Sequence, residues 1–410
     1  MKNTILTAHL FLLFSFILCS VSTIQAQELK TGYWTGQLKI QQSHHIRFAF
    51  EVDEQQNITL HNGEERLKMN RLKFENDSIK VYFSSFPNYL IFQVDTLKRP
   101  KLNGYFVNPD RVHHKRIAFH ARFSDNESSI FQQPPKAQNI TGKWQVIFSP
   151  NASDEYPAIG KFKQNHNDVT GTFLTETGDY RFLNGVMYKN NLLQLTCFDG
   201  AHVFLFTAQL ENDTLKGKFF SGNHRKTDWI GVRNKNFQLK NPYSITYMIN
   251  KNFSFRFPKP DGEEYHFPNK ETQGKVVIVQ ILGTWCPNCL DETNYYKKLY
   301  KKYNDKGLKI IGVAYEDPKT FKEQADRVKR YIHTQKIDYT ILVGGKASKE
   351  TSAKDFDMLN DITSFPTSIF INRQGEVVKI HTGFNGPGTG EIYTEYKKET
   401  DQLIQRLLNE

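Results

Sequence analysis

After an apolar leader, hydrophobic and polar residues alternate in short runs over the first half of the chain. Ile46, Phe48, Phe50 and Val52 share one face of an extended segment, as do Leu90, Phe92 and Val94, and again Ile117, Phe119, Ala121 and Phe123. A period of two with polar partners predicts half-buried antiparallel strands. The layout then recurs about 110 residues on, with Gly32-Tyr33-Trp34 echoed by Gly142-Lys143-Trp144. Leu102-Asn103-Gly104-Tyr105-Phe106 is answered by Leu215-Lys216-Gly217-Lys218-Phe219, and Arg122 by Arg233. Two related all-β units are expected, residues 28–127 and 139–235, each a barrel or sandwich, joined by a connector around Pro134.

Beyond residue 240 the pattern changes. Asn241 to Asp261 reads as a connector carrying a first edge strand, Phe253 to Phe257. Val276 to Leu282 is unbroken apolar sequence, as a central strand covered on both faces requires. Tyr296, Leu299 and Tyr303 follow at helical spacing, then a strand at Leu308 to Ala314. Phe321, Ala325, Val328 and Ile332 mark a second helix, and Tyr339 to Val343 a third buried strand. Gly344-Gly345-Lys346 lacks the Ser or Thr and the upstream Gly of a phosphate loop and reads as a turn. Pro366 stands directly before the strand-forming run to Ile371, and Asn372-Arg373-Gln374-Gly375 turns into a last run, Glu376 to Ile380. This alternation predicts an α/β domain over 245–410 with a central mixed sheet.

Composition narrows the setting. Lys2, the apolar run Leu10 to Leu18 and Ala26-Gln27 read as a signal peptide over residues 1–26, too short in its apolar part to span a membrane. The bulky Leu18 before Cys19 argues against lipoprotein processing. The mature chain therefore holds Cys197, Cys286 and Cys289 and is expected in the periplasm or cell envelope, where disulfides persist. The 54 Lys and Arg are scattered among 43 acidic residues without a basic stripe, which argues against nucleic acid despite a net charge of +11. Cys197 shares a face with Leu193 and Leu195 and is expected in a β core. The adjacent pairs His44-His45 and His113-His114 point to opposite faces of a strand and cannot easily chelate.

The chemistry concentrates at Gly283-Thr284-Trp285-Cys286-Pro287-Asn288-Cys289. Residues three apart lie on one helix face, so two sulfurs there can close and reopen a small disulfide ring. A helix N-terminus favours a thiolate at Cys286, making it the attacking sulfur, with Cys289 resolving. Pro287 suits the first helical turn. A zinc site would need a second ligand pair, which is absent, and a structural disulfide this short would stabilise little.

Trp285-Cys286-x-x-Cys289, Glu292, Phe365-Pro366-Thr367 and Asn372-x-x-Gly375 together resemble the TlpA and ResA group of exported thiol-disulfide oxidoreductases over about residues 245–410. The resemblance implies a thioredoxin-like fold, a cis Phe365–Pro366 bond beside the cysteines, and a partner chain received along that backbone by Trp285, Phe365 and Thr367. It implies no cofactor and no metal. Expected partners are disulfide-bearing client proteins and a membrane electron donor, with the oligomeric state open. Gln280 stands where thioredoxin carries a buried Asp and cannot titrate. Glu292, three residues after Cys289, is the expected acid for the resolving step, its pKa raised by burial. Asn294 replaces a proline common in the group. Two alternatives stay open: a peroxiredoxin, although Thr284 stands two rather than three residues before Cys286, and a binding protein that uses its β units with a subsidiary redox domain.

Overall fold

The computed structural model describes residues 28–69, 71–75, 77–95, 100–124 and 138–410. The leader with Cys19 and the connector around Pro134 lie outside these residues. Both β units open with the same device. Gly32 and Gly142 take φ of 123° and 131°, which a side chain would resist. Trp34 and Trp144 follow in the first strand of each unit, donating their indole N–H to the carbonyls of Lys30 and Ile140 at 3.0 and 2.9 Å. Both rings are fully buried.

The second unit closes. Its eight antiparallel strands are Gly142–Phe148, Tyr156–Asn165, Asp168–Thr175, Leu183–Met187, Leu192–Phe198, Val203–Glu211, Thr214–Ser221 and Arg225–Arg233, and the first pairs with the last at Trp144↔Arg233. Eight strands enclose just enough room for side chains. Phe148, Phe173, Phe206, Phe219 and Trp229 pack the interior, and Cys197 is fully buried among them.

The first unit stays open. Its nine strands form one sheet from Glu65–Met69 at one edge to Arg71–Glu75 at the other. Its concave face is filled from outside, because Phe198, Val203, Leu205 and Phe220 of the barrel alternate with interior residues and join the first sheet's core. Phe48 meets Phe198 at 4.5 Å between ring centroids.

In the C-terminal domain the strand order is Thr340–Lys346, Leu308–Glu316, Val276–Leu282, Thr367–Ile371, Val377–Thr382. The first three run parallel and the last two antiparallel to their neighbours, the thioredoxin-like arrangement. Four helices cover this sheet: α1 (Pro287–Tyr303), α2 (Phe321–Gln335), α3 (Lys349–Asp355) and α4 (Glu391–Asn409). Val276, Ile278 and Leu282 face the core shared with α1, α2 and α4, while Val277, Val279 and Ile281 face Phe255, Phe257 and Phe356. α1 runs unbroken through Asn294. Among the described residues no helix is long and apolar enough to cross a membrane.

Three local expectations fail. The expected edge strand is Phe255–Pro258, and it pairs only with Glu264–Phe267 in a two-stranded ribbon. The turn at Gly262, with φ of 97°, folds that hairpin back so that its aromatic residues cover the sheet instead of extending it. Gly344 to Lys346 are not a turn: they continue the third parallel strand, pairing with Tyr315 and Glu316 across a bulge. On α2, Phe321 is 43 % exposed and Tyr331, at 2 %, fills the core position instead.

Trp144→Ala is expected to destabilise the barrel by about 3–5 kcal/mol, since it removes the largest ring at the point of closure. Urea unfolding of variant and wild type measures the difference.

Candidate redox site

The central strand delivers Gly283, Thr284 and Trp285 to the mouth of the sheet, and the neighbouring strand fixes them there. Glu316, fully buried, accepts the backbone N–H and the hydroxyl of Thr284 at 2.9 and 2.8 Å. The Trp285 indole donates to the Tyr315 carbonyl at 3.0 Å. Cys286 is then the N-cap of α1, its Sγ accepting the Cys289 N–H at 3.3 Å, with Pro287 in the first turn. Both cysteines are free thiols, but only Cys286 reaches the surface, at 9 % exposure against 0 % for Cys289.

The Phe365–Pro366 bond is cis. The Phe365 carbonyl lies 3.6 Å from the Cys286 sulfur, placing this turn directly over the thiol. Phe365 stacks on Tyr315 and meets Trp285 edge-on, at centroid distances of 5.7 and 6.1 Å. Thr367 is fully buried, donates its hydroxyl to the Ser364 carbonyl at 2.8 Å and is paired between the strands of Ile281 and Thr382, so it lies behind the groove and not on its surface.

Glu292 points inward. It is fully buried, accepting Gln280 Nε2 at 2.8 Å and the Tyr296 hydroxyl at 3.2 Å, with the Tyr396 hydroxyl at 3.5 Å. The Gln280 carbonyl in turn accepts the Thr293 hydroxyl at 3.2 Å. Gln280 therefore orients the carboxyl from the strand position where thioredoxin carries its own acid.

The barrel supplies residues that sequence reasoning missed. Arg181, 1 % exposed, donates to the Pro287 carbonyl and to Asp291 at 2.8 and 2.7 Å, and pairs with Asp199 at 3.0 Å and with Glu65. Asn288 donates to the side chain and backbone of Asp179 at 3.0 Å each. Glu316 carried a faint signal, as an acid closing an apolar strand. Arg181 and Asp179 carried none, being more than a hundred residues from the partners they meet. Cys197, Asp199 and His202 hold ligand-type atoms within 4.8 Å of one another, but the Arg181 guanidinium already stands against Asp199 where a cation would sit.

The Redoxin family profile matches residues 250–396. The C-terminal part carries a Redoxin domain. Thiol-disulfide oxidoreductase ResA of Halalkalibacterium halodurans is 31 % identical over 116 residues, which cover 28 % of this chain and 57 % of the relative. ResA of Bacillus subtilis is 26 % identical over 113 residues, covering 28 % and 56 %. The chain thus spans between half and two thirds of the length of the curated relatives it matches. Among solved structures, a thioredoxin-family thiol:disulfide interchange protein from Chlorobium tepidum is 25 % identical with a TM-score of 0.30, covering 39 % of this chain and 96 % of its own.

Within the Redoxin domain, burial pushes the Glu292 carboxyl up to about 7, against the opposing pull of Gln280 and the tyrosines. Burial likewise pushes the Cys289 thiol up, with the neighbouring Cys286 and the Glu292 charge adding to it. An unfolded glutamate releases its proton near 4.5, whereas native Glu292 keeps its proton to about 7. The native state therefore binds the extra proton between those values, and stability falls as pH rises through that window. Glu316 and Asp291, both buried and raised to about 7, titrate alongside it, so the comparison must be made against wild type. Glu292→Gln, close to wild type in stability at pH 5, is expected to gain up to about 3 kcal/mol on it by pH 8. Urea unfolding at the two pH values checks this; a parallel pH dependence would mean that Glu292 titrates normally.

Proposed function

We propose that this chain is an exported thiol-disulfide oxidoreductase that reduces disulfides of envelope proteins through Cys286 and Cys289. The carrying observation is the asymmetry of the pair: Cys286 caps α1 and is the sulfur at the cleft, while Cys289 is sealed one turn inside. The Cys286 thiolate attacks one sulfur of the substrate disulfide; that bond breaks, and the departing sulfur takes a proton and leaves as a thiol. Glu292 receives the proton of Cys289, whose thiolate attacks Cys286 and expels the second substrate sulfur. Two electrons have passed to the substrate and the protein holds the Cys286–Cys289 disulfide. A membrane dithiol donor returns it to the reduced form. Trp285 and Phe365 border the docking groove, and the cis Pro366 and Thr367 set the turn of Phe365 from behind.

Disulfide exchange is favoured over peroxide reduction because the Thr284 hydroxyl is committed to Glu316. A ligand-binding role for the barrel interior is disfavoured by its aromatic filling. The unit boundaries proposed are 28–127, 139–235 and 245–410, following a leader removed after Ala26.

Cys289→Ser is expected to attack clients without resolving them, so that mixed disulfides accumulate and survive non-reducing electrophoresis. Cys286→Ser is expected to trap almost nothing; the opposite pattern would exchange the two roles, and trapping by neither would overturn the redox reading. The rate of the resolving step in wild type is expected to rise as pH passes about 7, as Glu292 ionises. That inflection should be absent in Glu292→Gln, measured by stopped-flow on a preformed mixed disulfide. Mass spectrometry of the mature N-terminus should find Gln27 first, not a modified Cys19.

A further inference from the structure

Cys286 opens into a cleft of about 580 Å³ whose opposite wall is the barrel loop Glu176 to Tyr180. A second cleft of about 630 Å³, walled by the first sheet and the other side of the barrel, also reaches Cys286. Trp285, His202 and Phe204 belong to both, so the sulfur lies where two clefts meet. The loop is fastened to the very backbone that surrounds the thiol. Ser364, two residues before the cis proline, donates to the Thr177 carbonyl at 2.8 Å. Asn288, inside the Cys-x-x-Cys, donates to Asp179 at 3.0 Å, and the Asp179 N–H donates to the Phe384 carbonyl at 3.3 Å. Gly178 has φ of 134°, and a Cβ there would come within 2.8 Å of the Asn288 amide and 3.0 Å of the Phe384 carbonyl, so no bulkier residue fits at this contact.

A disulfide on a folded protein sits on a broad surface, and an attacking sulfur reaches it only if the ground around the attacking thiol is clear. Here that ground is covered within hydrogen-bond distance. What remains has the volume of a small-ligand pocket, roughly 300–1,000 Å³, with aromatic walls at Trp285, Phe204 and Phe365.

We propose that the barrel loop Glu176 to Arg181 is part of the redox site and acts as a size filter: it admits slender disulfides, carried on a small molecule or on one extended strand, and rejects those on folded surfaces. The proposal rests on the disulfide-exchange reading of Cys286, and two measurements separate the fates of the two ideas. In the first, the reduced full-length chain is alkylated with N-ethylmaleimide and with a maleimide bearing a long polymer. Cys286 is expected to react with the small reagent and at least about tenfold more slowly with the large one, relative to a free cysteine peptide; equal relative rates would overturn the filter, whatever the enzymatic outcome. In the second, the wild type is offered a small aromatic disulfide, an unfolded peptide disulfide and a folded protein with a surface disulfide. Turnover of the small disulfide, with or without the peptide, and at least about a hundredfold less of the folded protein supports the filter. Comparable turnover of all three overturns it. Gly178→Val and Asp179→Ala, which lift or loosen the loop, are expected to raise the ratio of the folded-protein rate to the small-disulfide rate about tenfold. No change in that ratio, with the barrel folded, would also overturn it. If none of the substrates is reduced but the alkylation ratio stands, the filter survives and the disulfide-exchange reading fails.

Discussion

One guanidinium holds the three parts of this protein together. Arg181 belongs to the barrel and is almost completely withdrawn from water, and its partners come from all three units: Glu65 from the first sheet, Asp199 from the barrel, and Asp291 with the Pro287 carbonyl from α1. Taking such a charge out of water costs several kcal/mol, and the cost is offset only while its partners stay in place. Separating the units would strand a buried cation and at least two buried carboxylates together. The barrel therefore sits against the start of α1 as a fixed wall. A second tie, from Arg327 of α2 to Asp110 in the loop between strands Lys101–Val107 and Arg116–Phe123 at 2.7 Å, joins the first unit to the C-terminal domain.

Two buried carboxyls lie close to the cysteines, each with its own set of donors. Glu316 is saturated by Thr284 and holds the loop that presents Cys286. Glu292 accepts from an amide and two phenols instead, and burial raises it to about 7, as it raises Glu316. Asp199 shows the alternative: it is as deeply buried, yet His202 and Arg181 outweigh burial and hold it well below the usual carboxylate range.

The β units, half of the described chain, enclose their own side chains. Their contribution lies on the outside, where barrel residues close the open mouth of the first sheet, and the Glu176 to Tyr180 loop walls the cleft over Cys286.

Period-two alternation and the repeated Gly-x-Trp were enough to place two successive antiparallel units, because each strand buries one face and each opening needs its glycine and its tryptophan. The unbroken Val276 to Leu282, the Cys-x-x-Cys at a helix start and the proline before Thr367 likewise made the thioredoxin-like fold and the placement of Cys286 at the start of α1 legible, since these depend on local geometry within a few residues. The burial of Glu292 near the cysteines was legible from its place on the helix, though not the tyrosines that flank it. Whether a β unit closes was not legible: both show the same alternation, and closure depends on how far the edge strands extend and on what fills the mouth. The ribbon at Phe255–Pro258 was misplaced for a similar reason, because an apolar strand can extend a sheet or cover it without any change of pattern. Only the tertiary structure decided that Arg181 and Asp179 border the cysteines, for contacts between residues more than a hundred positions apart leave no periodicity in the chain that makes them.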